Sequence, residues 1–497
     1  MKKILLAIIC IFLITRLYKI EQIPPSVYWD EASIGYNAYS ISQTGRDEWG
    51  KFLPIHFRAF GEFKLPVYIY SVVPFVKLFG LNEITVRFPA VLFSLGVVLL
   101  TFLLAKRLSG NDKVALLSAF FLSISPWFFI FSRTGYEATA GLAFYLAGIY
   151  LFLFNKKSWY IFFSIVSFIL SAYSYNSFRI IIPLTILILV ILELNNLKKA
   201  KIVPIILSLV ILILSIIPIY RLYKYDNGVS RLQVVAATNS TFFKNYISHF
   251  NPGFLFLSGD INLRSQQGGF GQLYLTDLFL LPLGLIYMIN RKSKINYLTI
   301  FILLISPIPA AITKESPHAL RSIAIVPFLS MISAYGVVFI RKYFNKSFVE
   351  ILIVLISIFF FVNYSINFNT AYPTKSSADW QYGYKMIYSK FGNEFSKYDR
   401  VIISDEYAQP YIFALFYLKY DPNKFQKNVV RNSVDQWSFS TVSSFDKFEF
   451  GKINKLVTKD TKNSLIFASQ KEKLMDVNPF DTIKFLNGET AFWIYKI

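Results

Sequence analysis

The stretch Ile202–Tyr220, IVPIILSLVILILSIIPIY, decides the class of this protein. It carries no charged side chain over a length close to the ~20 apolar residues that an α-helix needs to cross a bilayer. Similar runs recur along residues 1–368 of a 497-residue chain that is 55% hydrophobic. The sequence therefore predicts a polytopic α-helical membrane protein.

About eleven apolar runs are predicted to form transmembrane helices. They are Ile4–Tyr18, Phe88–Ala105, Val114–Phe131, Ala138–Phe154, Trp159–Tyr173, Ile180–Leu194, Ile202–Tyr220, Leu273–Ile289, Ile295–Ile312, Ser322–Ile340 and Ile351–Asn367. A shorter run, Leu65–Phe79, contains two prolines, and we predict a juxtamembrane or re-entrant helix there. The first run follows Lys2 and Lys3 as in a signal peptide, but no small-residue cleavage site comes after it, so we expect an uncleaved span.

The basic residues set the predicted orientation. A formal net charge of +22 would suggest nucleic-acid binding in a soluble protein, but most lysines and arginines here stand in short clusters between apolar runs. With the predicted spans, these clusters share the side of the N-terminus: Lys106/Arg107/Lys113, Lys156/Lys157, Lys198/Lys199/Lys201, Arg291/Lys292/Lys294 and Arg341/Lys342/Lys346. Cytoplasmic loops are enriched in Lys and Arg. We therefore expect a plasma-membrane protein with a cytoplasmic N-terminus and no nucleic-acid partner.

Three longer segments then fall on the outer side: the loop 21–87 with its juxtamembrane helices, the loop 221–272, and residues 369–497. Hydropathy drops in the last segment, and this drop predicts a soluble extracytoplasmic domain. Short β-type runs at Val401–Ser404, Ser464–Phe467 and Ala491–Tyr495 alternate there with a helical stretch at Tyr411–Tyr420. This pattern predicts a small α/β domain, and it contains no recognisable catalytic constellation.

The first outer loop contains the acidic pair Asp30 and Glu31, within the run Tyr28–Glu31 (YWDE). Charges near a membrane boundary are costly unless they line a wet cavity, so such a pair indicates a functional site. A carboxylate there is able to act as a general base and take the proton of an attacking hydroxyl. A second interpretation is a helix start, because acidic residues favour the first turn of a helix.

Other charged or polar side chains are predicted on the same outer face. They are Glu62, Lys64, Arg133, Glu137, Arg179, Asp260, Arg264, His318 and Arg321. A guanidinium grips a phosphate with paired donors, as a phosphorylated lipid would require. Each arginine taken alone is also consistent with an interface anchor that snorkels. Their convergence on one face favours a binding site.

Several of these motifs resemble the protein O-mannosyltransferase and aminoarabinose transferase family, whose members have the GT-C fold and use polyprenyl-phosphate sugars. The resemblance covers about the first 180 residues. It rests on Tyr28–Glu31, on Glu62/Lys64/Pro66 with Leu78–Gly80 and Arg87–Pro89 after it, and on Ser132-Arg133 ahead of Glu137. In the family, a Glu-Lys-Pro-Pro element contacts the donor phosphate region. Here Phe63 separates the acid from the lysine, and Leu65 replaces the first proline.

The resemblance implies a hexosyl- or pentosyltransferase of the cell envelope that inverts the anomeric centre of its donor sugar. Asp30 matches the family's catalytic aspartate, supported by Glu31. Lys64, Arg264, Arg321 and His318 are expected at the donor lipid phosphate. Contacts with substrate or acceptor are expected from Glu62, Arg133, Glu137, Arg179 and Asp260. The acceptor hydroxyl would belong to a protein Ser or Thr, a lipid or a glycan.

No metal or other cofactor is expected, since cationic side chains are able to hold a departing lipid phosphate. The three histidines are isolated in sequence, and the single cysteine, Cys10, lies within the first span. Two alternatives remain. One is an oligosaccharyltransferase-like GT-C enzyme, although the chain has no Trp-Trp-Asp-Tyr-Gly motif. The other is a lipid or sugar transporter, which predicts paired repeats and broken helices that the sequence does not display.

Overall fold

The computed structural model describes residues 1–154, 157–225, 236–237, 239–291, 294–344, 347–433, 441–475 and 477–497. These residues form two compact units. The helical unit contains Met1–Tyr18 and most of the chain between Ala90 and Asn367. The α/β unit contains Lys19–Pro89 and Phe368–Ile497.

Every run predicted to span the membrane is helical in the structure. The helices are Lys2–Leu17, Glu83–Ser109, Asp112–Ile124, Pro126–Phe131, Ala138–Leu153, Trp159–Ala172, Asn176–Leu197, Ile202–Tyr225, Leu275–Asn290, Lys294–Ile305, Ile308–Ala311, Val326–Phe344 and Ser347–Ser376, with a short helix at Phe242–Ser248. One predicted span is broken before Pro126. Ser125 leaves the helical conformation there, with φ −57° and ψ 126°, because a residue that precedes proline is disfavoured in the helical region.

Within the described ranges, five helices are long and apolar enough to cross a membrane. They are Glu83–Ser109, Asn176–Leu197, Ile202–Tyr225, Ile323–Phe344 and Phe348–Ser376. Only 11% of the apolar window of Ile202–Tyr225 is buried, which suits a helix that faces lipid. The prediction of a polytopic membrane protein is confirmed. Lys156, Lys292 and Lys346, and residues 226–235 and 238 of the second long loop, lie outside the described residues.

The N-terminal part of the α/β unit consists of helix Trp29–Thr44, a two-stranded hairpin and helix Pro66–Phe79. The hairpin strands are β1 (Phe57–Ala59) and β2 (Glu62–Lys64), which pair antiparallel. Pro66 stands at the first helical position, where its missing N–H costs nothing. The juxtamembrane helix predicted at Leu65–Phe79 is therefore confirmed as a helix.

The C-terminal part of this unit is a mixed sheet with short helices. Its strands are β3 (Arg400–Ser404), β4 (Val430–Arg431), β5 (Val442–Phe445), β6 (Phe448–Gly451), β7 (Ser464–Ser469), β8 (Asp481–Lys484) and β9 (Thr490–Lys496). Among the described residues their order is β4-β5-β6-β3-β7-β9-β8, and β3 runs parallel to both of its neighbours. The helices are Tyr382–Phe391, Pro410–Tyr417, Pro422–Asn428 and Ile453–Leu456.

The central strands are buried on both faces, as near-continuous apolar runs require. Ile402, Ile466 and Tyr495 lie in one buried cluster, against which Trp493 packs. The strands predicted at Val401–Ser404, Ser464–Phe467 and Ala491–Tyr495 are thus confirmed, as is the α/β character of the C-terminal region.

Candidate active site

Helix Trp29–Thr44 places the acidic pair in its first turn. Tyr28 is extended, with φ −86° and ψ 160°, and its backbone N–H donates to Glu31 Oε2 at 3.3 Å. Glu31 thereby satisfies one of the backbone donors at the helix start. Asp30 stands one residue earlier, and its side chain is 24% exposed. The same turn therefore contains a capping acid and an accessible acid.

Lys64 lies directly on the accessible acid. Its Nζ donates to Asp30 Oδ1 at 2.5 Å and lies 3.9 Å from Glu62 Oε1. The Lys64 side chain is only 5% exposed, and its ammonium lies 5.8 Å from the ring centroid of Phe60. Alternate residues of a strand share a face. For that reason β2 brings Glu62 and Lys64 together although Phe63 separates them in the sequence.

Glu31 forms a fully buried ion pair with Arg87. The Nε and Nη2 atoms of Arg87 donate to the two carboxylate oxygens at 3.0 Å each, and neither side chain is exposed. Arg87 also donates to the carbonyls of Ile20, Pro24 and Ser26. The guanidinium therefore fixes the chain on the N-terminal side of the helix. Arg87 has no predicted role in the sequence interpretation, although it stands in one of the motifs of the resemblance.

The helix start is also bound to a distant loop of the same unit. The backbone N–H of Trp29 donates to Gln381 Oε1 at 3.1 Å. Gln381 Nε2 donates in turn to the carbonyls of Tyr407 and Ala408. A single glutamine thus connects the turn that carries Asp30 to the segment after β3.

In the helical unit, Asp260 holds the segment that contains His318. Its Oδ2 accepts the backbone N–H of Ala319 at 2.8 Å, and its Oδ1 accepts that of Asn262 at 2.9 Å. His249 Nε2 accepts the backbone N–H of His318 at 3.2 Å, while its Nδ1 lies 2.9 Å from the Asn245 carbonyl. His249 is therefore protonated on Nδ1, because its other nitrogen is an acceptor.

The electrostatics of this segment favour neutral imidazoles. Burial lowers the pKa of His249 to about 4. Burial, reinforced by Arg321, His249 and Arg264, lowers the pKa of His318 well below its ordinary value. Arg321 donates to Thr313 Oγ1 at 2.7 Å and lies 3.4 Å from Glu315 Oε2, with its side chain 21% exposed. The cationic character of this segment therefore comes from its arginines.

The remaining predicted residues occupy different positions. Arg133 is fully buried and donates to the carbonyls of Thr15 and Tyr18, at the end of helix Lys2–Leu17. Those contacts favour a structural role over the predicted acceptor contact. Glu137 is partly buried where helix Ala138–Leu153 begins. Arg179 donates to the Ala172 carbonyl and to the Tyr223 hydroxyl, at 3.0 Å each.

No group of three or more His, Cys, Asp or Glu side chains with the geometry to hold a metal ion occurs in the parts of the chain that the structure describes. The prediction that no metal or cofactor is required stays a prediction. What the first turn offers chemically is an oxygen base beside a fixed ammonium, which suits proton removal from a hydroxyl next to a developing anion.

Part of the chain matches a known protein family. Residues 64–221 match the family described as dolichyl-phosphate-mannose-protein mannosyltransferase. An uncharacterized protein of Aquifex aeolicus is 32% identical over 143 residues, which is 26% of this chain and 28% of that relative. The chain thus matches well under two thirds of that relative's length.

Two crystal structures of ArnT from Cupriavidus metallidurans resemble the whole chain. The one bound to undecaprenyl phosphate has a TM-score of 0.62 at 12% identity, and the apo structure has 0.64 at 9%. Each match covers 99% of this chain and 97% of the ArnT chain. The archaeal oligosaccharyltransferase AglB from Archaeoglobus fulgidus, in complex with an inhibitory peptide and a dolichol-phosphate, has a TM-score of 0.52 at 10% identity. That match covers 84% of this chain and 63% of AglB.

At these identities the structural likeness establishes the fold. The chain is therefore a multi-pass membrane protein of the GT-C glycosyltransferase fold, and its predicted resemblance to the enzymes that use lipid-phosphate-linked donors is confirmed.

Proposed function

We propose that this protein moves a sugar from a polyprenyl-phosphate-linked donor to an acceptor hydroxyl outside the cytoplasm, with inversion at the anomeric carbon. The observation that carries the proposal is the pairing of Asp30 with Lys64 in the first turn of helix Trp29–Thr44. Asp30 is accessible, whereas the neighbouring Glu31 is buried in an ion pair with Arg87. Only one of the two adjacent carboxylates is therefore available to a substrate.

In the proposed mechanism, Asp30 takes the proton of the acceptor hydroxyl as its oxygen attacks the anomeric carbon. The new carbon–oxygen bond forms while the bond from that carbon to the lipid phosphate breaks, and the phosphate departs with the electron pair. Because Lys64 occupies Oδ1, the proton is taken by Oδ2. Glu31 is then a positioning residue, since its two oxygens are held by Arg87.

Lys64 is proposed to have two roles. Its ammonium orients Asp30 and also provides a positive charge next to the reacting atoms, where charge develops on the departing phosphate. In the helical unit, Arg264 and Arg321 are proposed to bind donor phosphate, with His318 as a neutral donor or acceptor beside them. The partial exposure of the Arg321 side chain leaves it accessible to a ligand.

The partners follow from the same proposal. The ArnT structure with bound undecaprenyl phosphate and the AglB structure with dolichol-phosphate support a polyprenyl-phosphate sugar as the donor. The acceptor hydroxyl would belong to a protein, a lipid or a cell-surface glycan. Basic clusters such as Lys106/Arg107 and Lys198/Lys199 support a plasma-membrane location with a cytoplasmic N-terminus and the C-terminal region outside.

The proposal is tested with the purified full chain in detergent. Polyprenyl-phosphate sugars labelled in the sugar are supplied with cell-envelope extract, and free polyprenyl phosphate and labelled product are quantified. Release of the lipid phosphate with equal transfer of label supports the proposal. In liposomes, movement of uncleaved donor across the bilayer would instead support a transporter and contradict it.

A further inference from the structure

We propose that a cavity of the α/β unit next to Trp29 binds one sugar ring of a saccharide acceptor. This inference rests on the proposed function and names the acceptor class for it. The cavity measures about 150 Å³. Its walls come from the helix start, from the segment after β3 and from the edge of the sheet: Trp29, Asp405, Ala408, Gln409, Pro410, Tyr411, Thr441, Val442 and Phe450.

Gln409 is the polar group that makes this cavity a candidate binding site. The residue is 4% exposed, and its Oε1 has no hydrogen-bond partner among the described residues. A buried amide oxygen without a partner is costly, so it calls for a ligand donor or a water. Gln409 and the preceding Ala408 both have positive φ, 51° and 62°, in the left-handed region that non-glycine residues seldom adopt. Such backbone strain is typical of ligand-binding segments.

The rest of the lining matches the surface of a sugar. Three of the lining residues, Trp29, Tyr411 and Phe450, are aromatic, and aromatic rings pack well against the C–H side of a sugar ring. The Tyr411 hydroxyl donates to Glu48 Oε1 at 3.4 Å, so its proton is not available to a ligand. Asp405 and Thr441 add a carboxylate acceptor and a hydroxyl, both of which bond sugar hydroxyls.

Charge distinguishes this cavity from a phosphate site. No lysine or arginine is among the described residues that line it, whereas an anionic headgroup is normally held by such cations. A neutral ligand with many hydroxyls is therefore favoured over a phosphate. Trp29 immediately precedes Asp30, which we propose to take the proton of the acceptor hydroxyl, and for that reason we assign the bound ring to the acceptor.

The test measures binding separately from turnover. Full-length protein in detergent is titrated with methyl glycosides of common hexoses and N-acetylhexosamines, and contact is followed by saturation-transfer NMR. Gln409→Met keeps the side-chain length but removes the amide, and Asp405→Asn removes the carboxylate charge. The matched controls are Gln470→Met and Asp481→Asn, two exposed positions outside the cavity. We expect at least one glycoside to bind, and each cavity variant to weaken it about 10-fold.

Unchanged glycoside affinity in both cavity variants, or no binding of any glycoside by protein that still binds donor lipid, would overturn the proposal. So would binding of a Ser/Thr-containing peptide that Gln409→Met weakens, because the cavity would then recognise a polypeptide. A third result is possible. If wild type binds glycosides, both cavity variants lose that binding, and the protein never releases polyprenyl phosphate, the cavity is supported and the transferase function is contradicted. The two proposals therefore fail in different ways.

Discussion

Glu31 and Arg87 form an ion pair through two parallel hydrogen bonds, and neither side chain is exposed to solvent. A buried ion pair of this kind is tolerated only while both charged partners are present. If one partner is removed, an uncompensated charge stays in the interior. Because Glu31 follows Asp30 directly, the ion pair also fixes the position of the helix turn that carries Asp30.

Glu31→Gln should therefore destabilise the protein by about 3–5 kcal/mol, the usual range for breaking a buried ion pair. Thermal unfolding in detergent measures this as a lower melting temperature. The double variant Glu31→Gln/Arg87→Met should lose less stability than the sum of the two single variants, since the partners interact directly. A melting temperature for Glu31→Gln equal to that of wild type would show that the pair does not hold the turn.

Lys64→Met should reduce kcat by roughly 100-fold or more, the typical effect of removing one donor that stabilises developing negative charge. Lys64→Arg keeps the charge but changes the geometry of the donors, so we expect intermediate activity. Lys77→Met, at an exposed position of helix Pro66–Phe79, is the matched control. The measurement is release of polyprenyl phosphate at saturating donor. If Lys64→Met keeps the kcat of wild type, Lys64 does not take part in catalysis.

Glu48 should make stability depend on pH. It is 1% exposed, and burial raises its pKa from an ordinary value of 4.5 to about 8, against the opposing effect of Arg431. Since the folded-state pKa exceeds the unfolded value, protonated Glu48 contributes stability that is complete below about pH 4.5 and is lost as the pH rises through about 8.

We expect the melting temperature of wild type to decrease as the pH is raised from about 5 to about 9. The melting temperature of Glu48→Gln should decrease less over the same interval. The difference between the two curves isolates Glu48 from Asp47, whose pKa burial also raises. Parallel curves for the two proteins over this interval would contradict the assignment.

The parts of the fold that the sequence predicts correctly are those set by local pattern. Apolar runs such as Ile202–Tyr220 are long enough to identify helices by themselves, and the short β-branched run Val401–Ser404 identifies a buried strand. The position of Asp30 and Glu31 after the first span identifies this acidic pair as a candidate functional site. Which of the two acids is buried depends on the ion pair between Glu31 and Arg87. These two residues are 56 positions apart, and a single sequence does not reveal that they pair.

The same limit applies to the glutamines. Gln381 reaches Trp29 across 352 residues, and Gln409 lines the cavity that Trp29 borders. Neither has a sequence signal, because an isolated glutamine in a polar segment fits any exposed loop. The positions of Glu62 and Lys64 show the opposite case. Their departure from the family's spacing is explained once β2 is known to be a strand, since its period of two places both side chains on one face.

In the proposed mechanism, Asp30 is the base of a lipid-phosphate sugar transferase. The most direct test is the rate of polyprenyl phosphate release by Asp30→Asn at saturating donor and acceptor, with Asp481→Asn as the exposed control. We predict that Asp30→Asn lowers kcat by about 10²–10⁴-fold, as expected for loss of a general base, while donor lipid still binds. Wild-type turnover in Asp30→Asn would contradict the role of Asp30 as the base, and Glu137 would become the next candidate.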